Sequence, residues 1–117
     1  MQEIEVTSNS EKEKPGSRWV DVDMFGGSAP WPQCSDLGQY RNRRGHVYSP
    51  RIGSGNRYAM VNPGGPRGDV QFAEVVLTCF RGASPGCTPQ HNNGAADNRL
   101  QSLDWFTPKQ QAEDAAT

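Results

Sequence analysis

Six arginines fall between Leu37 and Gly68, with no lysine and no acid among them: Arg41, Arg43, Arg44, Arg51, Arg57 and Arg67. Tyr40, Tyr48, Tyr58 and His46 are interleaved with them. A guanidinium is a planar fork of donors that fits a phosphate through two bonds and stacks on a nucleobase. A phenol ring adds a stacking surface, and basic grooves with interleaved aromatics hold single-stranded nucleic acid without reading its sequence. The stretch therefore predicts an anion-seeking hairpin. Its candidate ligand-binding residues are Tyr40, Arg41, Arg43, Arg44, His46, Tyr48, Arg51, Arg57 and Tyr58. Both flanks are acidic, with a net of −4 over residues 1–36 and −3 over 69–117, so the overall −1 conceals a positive middle. Such a distribution speaks to partners and not to fold. A near-neutral total also argues against a pure DNA-binding protein, which is usually basic throughout.

Other groupings carry less. Cys79, Cys87 and His91 combine two soft thiolates with an imidazole, and Cys34 or His46 would supply a fourth zinc ligand. The spacing matches no compact zinc-finger pattern, and free thiols account for it equally well. Cysteines number three, which argues against a complete disulfide framework. In an oxidising setting the bridge expected from spacing is Cys79–Cys87, across a short turn-rich loop. Ser49, Ser54, Ser84 and Ser102 lack the framing of a nucleophile elbow. Asp21 and Asp23 share one face of a strand, which more often marks the wet side than a carboxylate pair. Gly53-Ser54-Gly55 lacks the third glycine of a dinucleotide fingerprint. No catalytic set, metal or cofactor is expected on this basis. Arg67-Gly68-Asp69 resembles the integrin-recognition tripeptide of adhesion proteins and some virus capsids, which would imply cell-surface binding if the turn were exposed.

The elements that would position these residues are short. Only 33% of residues are apolar, and 22 of 117 are glycine or proline. Mean hydropathy is −0.81. That mixture favours strands and turns over helices and implies a thin core. Arg18–Phe25 alternates as a strand, with Val20, Val22 and Met24 on one face. Short strands are expected near His46–Ser49 and Asn56–Val61, with Pro50 and Gly53-Ser54-Gly55 between them. Asp69–Phe80 is apolar on both parities in its second half, which predicts a central strand. Arg81–Asn98 is a long Gly/Ser/Pro/Asn loop, and loops of that length are usually functional or tied down. Arg99–Phe106 is a strand or a turn of helix. Thr107 with Pro108 and Gln110 is a helix start.

The predicted fold class is all-β, a small sandwich or partly open barrel of short strands with long Gly/Pro-rich loops. The chain divides into a flexible N-terminal segment (1–17, with a short strand at Glu3–Val6), a single β domain (18–107) and a C-terminal tail (108–117). The expected core is Trp19, Val20, Val22, Met24, Val47, Tyr58, Met60, Phe72, Val75, Val76, Leu77, Leu103 and Trp105. The expected function is a non-catalytic binding module that offers the hairpin of residues 37–68 to RNA, single-stranded DNA or another polyanion, and not an enzyme. Two alternatives stay open. One is a structural protein of a virion or appendage, assembling through its loops with protein partners or copies of itself. The other is a small metal-dependent enzyme. The charged N-terminus and the absence of a long apolar run predict no signal peptide and no membrane span, and a cytoplasmic or virion setting.

Overall fold

The computed structural model describes residues 10–110 and 112. The expected strand at Glu3–Val6 and the end of the expected tail lie outside them. Antiparallel β1 (Trp19–Asp21), β2 (Gln33–Ser35), β3 (Tyr40–Arg41) and β4 (Val47–Tyr48) form one sheet in chain order. β5 (Met60–Val61) pairs with β6 (Val70–Gln71), which runs directly into helix α1 (Phe72–Arg81). β7 (Thr88–His91) and β8 (Leu103–Phe106) form a hairpin, with a 3₁₀ turn at Leu100–Ser102 leading into β8. Residues 108–110 are helical again. Gln110 N–H donates to Thr107 Oγ1 at 3.1 Å, and Thr107 N–H donates back to Gln110 Oε1 at 2.8 Å, a reciprocal cap at the helix start expected there.

The fold is mixed α/β and not an all-β sandwich or barrel. The difference lies in Phe72–Arg81, where a central strand was expected. An apolar run on both parities suits a doubly covered strand or a helix buried on most of its surface, and its periodicity cannot separate them. Ten residues is long for a strand in so small a domain and ordinary for a helix. The ends agree with the helix. Glu74 lies in the first turn and Arg81 in the last, each matched to the helix dipole. Gly82 at φ 89° leaves the helix while its N–H still reaches the Thr78 carbonyl.

Burying α1 organises the rest. Phe72, Ala73, Val75, Val76 and Leu77 are each at most 1% exposed. They meet Cys34 and Tyr40 from the four-stranded sheet, Val22 just beyond the end of β1, Val61 and Val70 from β5–β6, and Leu103 from β8. Three sheets too small to be stable separately thus share one helix as their core. Met24, expected inside, is 52% exposed because strand β1 ends at Asp21. On one side the Gly26–Gly27 and Gly64–Gly65 loops touch backbone to backbone. A Cβ at Gly65 would overlap the Phe25 carbonyl, so glycine is required there.

Residues 10–17 are tied to the sheet. Glu11 N–H bonds the Val47 carbonyl at 2.7 Å. Gln39, 1% exposed, accepts from Lys14 N–H at 3.0 Å and donates to the Lys12 carbonyl at 2.8 Å and to Glu11 Oε1 at 3.1 Å. The Ser49 hydroxyl, together with the Gln39 amide, holds the Glu11 carboxyl below the usual carboxylate range. No helix among the described residues is long and apolar enough to cross a membrane.

Candidate active site

Antiparallel pairing sets His91 opposite Leu103 at the inner end of the β7–β8 hairpin. Leu103 belongs to the core, so the imidazole beside it is half-buried. The chain then leaves through residues 92–99. Asp97 ties that loop together: it accepts from Asn93 Nδ2 at 2.9 Å, Ser102 Oγ at 2.9 Å, and Arg99 Nε and a terminal guanidinium nitrogen at 2.9 and 2.7 Å. The Arg99 guanidinium, with help from Asn93 and Ser102, drives the Asp97 carboxyl far below the usual range. Gly94 at φ 94° makes the turn, with Asp97 N–H bonded to its carbonyl.

The product of this knot is the placement of Asn98. It is 5% exposed, and its Oδ1 lies 3.0 Å from His91 Nε2. A carboxamide oxygen only accepts, so Nε2 is the donor, and in the neutral ring Nδ1 is left as the acceptor. Tyr58 stacks on the other side, with ring centroids 5.4 Å apart and planes within 9°. An open cleft of about 480 Å³ is lined by His91, Tyr58, Gln90, Ala95 and Phe106 among others. A second hollow of about 340 Å³ is lined by Arg51, Ile52 and Ala96, the last adjoining Ala95 in the chain. A neutral imidazole with one nitrogen committed, facing a cleft, is equipped to take a proton from water.

Asp97 makes a prediction of its own. A folded-state pKa depressed below the unfolded value contributes stability that is fully present above the unfolded carboxylate pKa, near 3.9, begins to decline below it, and is lost only as pH falls through the much lower folded value. Asp97→Asn is expected to cost about 1–3 kcal/mol at neutral pH, the range for removing one charged partner from a hydrogen-bonded group. It should also flatten the acid side of the stability profile. Urea unfolding at pH 7 and pH 3 would measure both, and equal losses at the two pH values would contradict the assignment.

Of the nine residues expected to bind an anion, several are engaged within the fold. Tyr40 is 2% exposed, edge-on to Tyr48 and Phe72, and burial raises the pKa of both phenols. His46 Nδ1 lies 2.6 Å from Ser10 Oγ. Arg41 stacks on Trp19 at 4.2 Å and bonds Gln33 and Glu13. Arg43 donates to the Pro30 carbonyl at 3.0 Å. Arg44 and Arg57 are exposed, with no ion-pair partner among the described residues. Arg51 is exposed near Glu11. Of the nine, Tyr58 joins His91, Arg51 reaches the neighbouring hollow, and Arg57 adjoins Tyr58 in the chain. The Ile52–Ala59 bridge closes the loop that carries Arg57 and Tyr58. Arg67 of the adhesion-like tripeptide is clamped to Glu74 by two bonds of 2.7 and 3.0 Å, with the Phe25 ring 5.9 Å away.

His91 entered the sequence reading only as a zinc candidate. Among the described residues no three His, Cys, Asp or Glu side chains are grouped to hold a metal. The donors around His91 are the amides of Gln90 and Asn98. Asp97 is engaged as above, and Asp104 is bonded to Arg81 and Asn92. This described set is neutral and does not fit a resident hard divalent cation, which favours carboxylate oxygens.

The chain resembles a solved structure described as "DNA binding and cleavage by the HNH homing endonuclease I-HmuI", with a TM-score of 0.62 and 21% sequence identity. The likeness is one of fold. It covers 85% of this chain and 57% of that one, so the chain spans little more than half of that enzyme's length. No family model and no curated protein matches. The neighbour is a mixed α/β enzyme, which agrees with the corrected fold class. It also tells against the expectation of a non-catalytic binding module and of a chain that is not an enzyme, because the protein that shares this fold is an endonuclease described as binding and cleaving DNA. Nothing in the likeness supports assembly as a virion or appendage component.

Proposed function

We propose that this chain is a nuclease that hydrolyses phosphodiester bonds in DNA at the His91 cleft. The observation that carries the reading is His91 itself, fixed by Asn98 through Nε2 and by Tyr58 through its ring face, beside open space. The likeness to a DNA-cleaving endonuclease supports the same substrate. Water attacks phosphorus as its proton passes to His91 Nδ1. The P–O bond to the leaving oxygen breaks, and that oxygen takes a proton from solvent. Arg51 and Arg57 lie on the segment that borders the cleft, and their charge would draw the phosphate backbone across it. Binding of this kind weakens as salt rises, because counterions are released from the DNA.

The test is incubation of the purified chain with supercoiled plasmid at low and moderate salt, with added Mg²⁺, added Mn²⁺ or EDTA. Nicked or linear product that grows with time and falls with salt is expected in at least one condition. Intact supercoiled plasmid in every condition would overturn the reading.

A further inference from the structure

Cys34 on β2 is fully buried, and Cys79 near the end of α1 is partly exposed where helix and strand pack together. Both sulfurs belong to the core cluster, Cys79 packed against the buried set that holds Cys34, and the two thiols are near enough to influence each other's charge. Cys87 is engaged elsewhere: its sulfur accepts from Ser84 Oγ at 3.1 Å in the loop between α1 and β7. Spacing along the chain favours a Cys79–Cys87 bridge, whereas packing brings Cys79 to Cys34. All three are free thiols in the structure.

We propose that Cys34 and Cys79 are an oxidative modification site, closed to a disulfide by small-molecule disulfides and reopened by thiols, which staples α1 to the four-stranded sheet. The two sulfurs have distinct tasks. The neighbouring Cys34 favours thiolate on Cys79, against desolvation and the nearby charges of Asp23 and Asp21, whereas Cys34, with no exposed surface, is pushed up by Cys79 and by burial. Cys79 is also the one that solvent reaches. Its thiolate attacks a disulfide RSSR, forms a mixed disulfide and expels RS⁻. Cys34 then loses its proton and attacks the Cys79 sulfur, so a second RS⁻ leaves. Two protein thiols are oxidised by two electrons, one RSSR is reduced to two RSH, and the two protons released balance the two thiolates.

The closed form links residues far apart in sequence across a packed interface, where chain-entropy arguments place the larger stabilisations. The test uses the full chain with oxidised glutathione, followed by alkylation and non-reducing peptide mapping. Two of three thiols should disappear, with one cross-linked peptide pair joining Cys34 to Cys79 and Cys87 still alkylated. The melting midpoint should rise by about 5 °C or more and return on adding dithiothreitol. Cys87→Ser should behave as wild type. A Cys79–Cys87 peptide, a glutathione adduct on Cys79 that never resolves, or three persistent thiols would each overturn the proposal.

Discussion

DNA cleavage by His91→Ala is expected to fall by about 10²–10⁴-fold, the usual contribution of a positioned general base. The imidazole is the one group in the cleft that combines a basic lone pair with a fixed orientation. Its neighbours cannot substitute for it. Gln90 and Asn98 are amides, and the Tyr58 ring is stacked against the imidazole it would replace. Removing the side chain also takes a partner from Asn98, which is nearly buried, so a fall in activity could reflect a loosened loop. His91→Gln separates the two effects, because its amide N–H can still donate toward Asn98 while offering no comparable base. Both variants should therefore lose cleavage in single-turnover plasmid assays. The glutamine form should keep a melting midpoint within a few degrees of wild type, since the hydrogen bond at issue contributes about 1 kcal/mol. Cleavage by the glutamine variant at the wild-type rate would remove His91 from the chemistry.

Phe72→Ala should be the most damaging single change to the fold, costing about 3–5 kcal/mol. The ring is 0% exposed, begins α1, and meets Tyr40 edge-on with centroids 6.0 Å apart. It therefore bridges the helix and the four-stranded sheet. Domains of this kind hold about 5–15 kcal/mol of net stability. With only a third of its residues apolar, this chain cannot absorb such a loss easily. Denaturant unfolding should show a much lower midpoint with an unchanged slope. Phe72→Leu should cost markedly less, because most of the volume is retained. A loss below about 1 kcal/mol for the alanine variant would mean that the helix is not the shared core described above.

What composition and spacing made legible was local. The strand at Val20, the turn-rich Gly26–Pro32 segment and the reciprocal cap at Thr107 each depend on neighbours in the chain. The helix was hidden because Val75, Val76 and Leu77 satisfy either period, and three sheets enclosing it hide the polar face that would have marked it. The partners of the arginines were hidden for the opposite reason. The arginines are close in sequence, but the partners that quench Arg41 and Arg67 come from Glu13 and Glu74, outside the stretch. His91 was seen as a metal candidate and not as a base. Its role depends on Tyr58 and Asn98, and only the hairpin and the Asp97 knot bring those two to opposite sides of one ring. The one hint was the long polar loop before Arg99, expected to be functional or tied down.

The segment that composition reads as a tether has a consequence for which changes it can accept. Lys12 and Lys14 are held mainly through backbone atoms; their side chains are exposed, and only the Lys14 ammonium adds a bond, a long one of 3.4 Å to the Leu37 carbonyl. Most other residues could therefore replace them. A single insertion or deletion between Glu11 and Lys14 is different in kind. It would slide those backbone groups past the Gln39 carboxamide and cost a buried amide two of its three bonds, so the two lysine positions are tolerant of substitution while the stretch is strict about length.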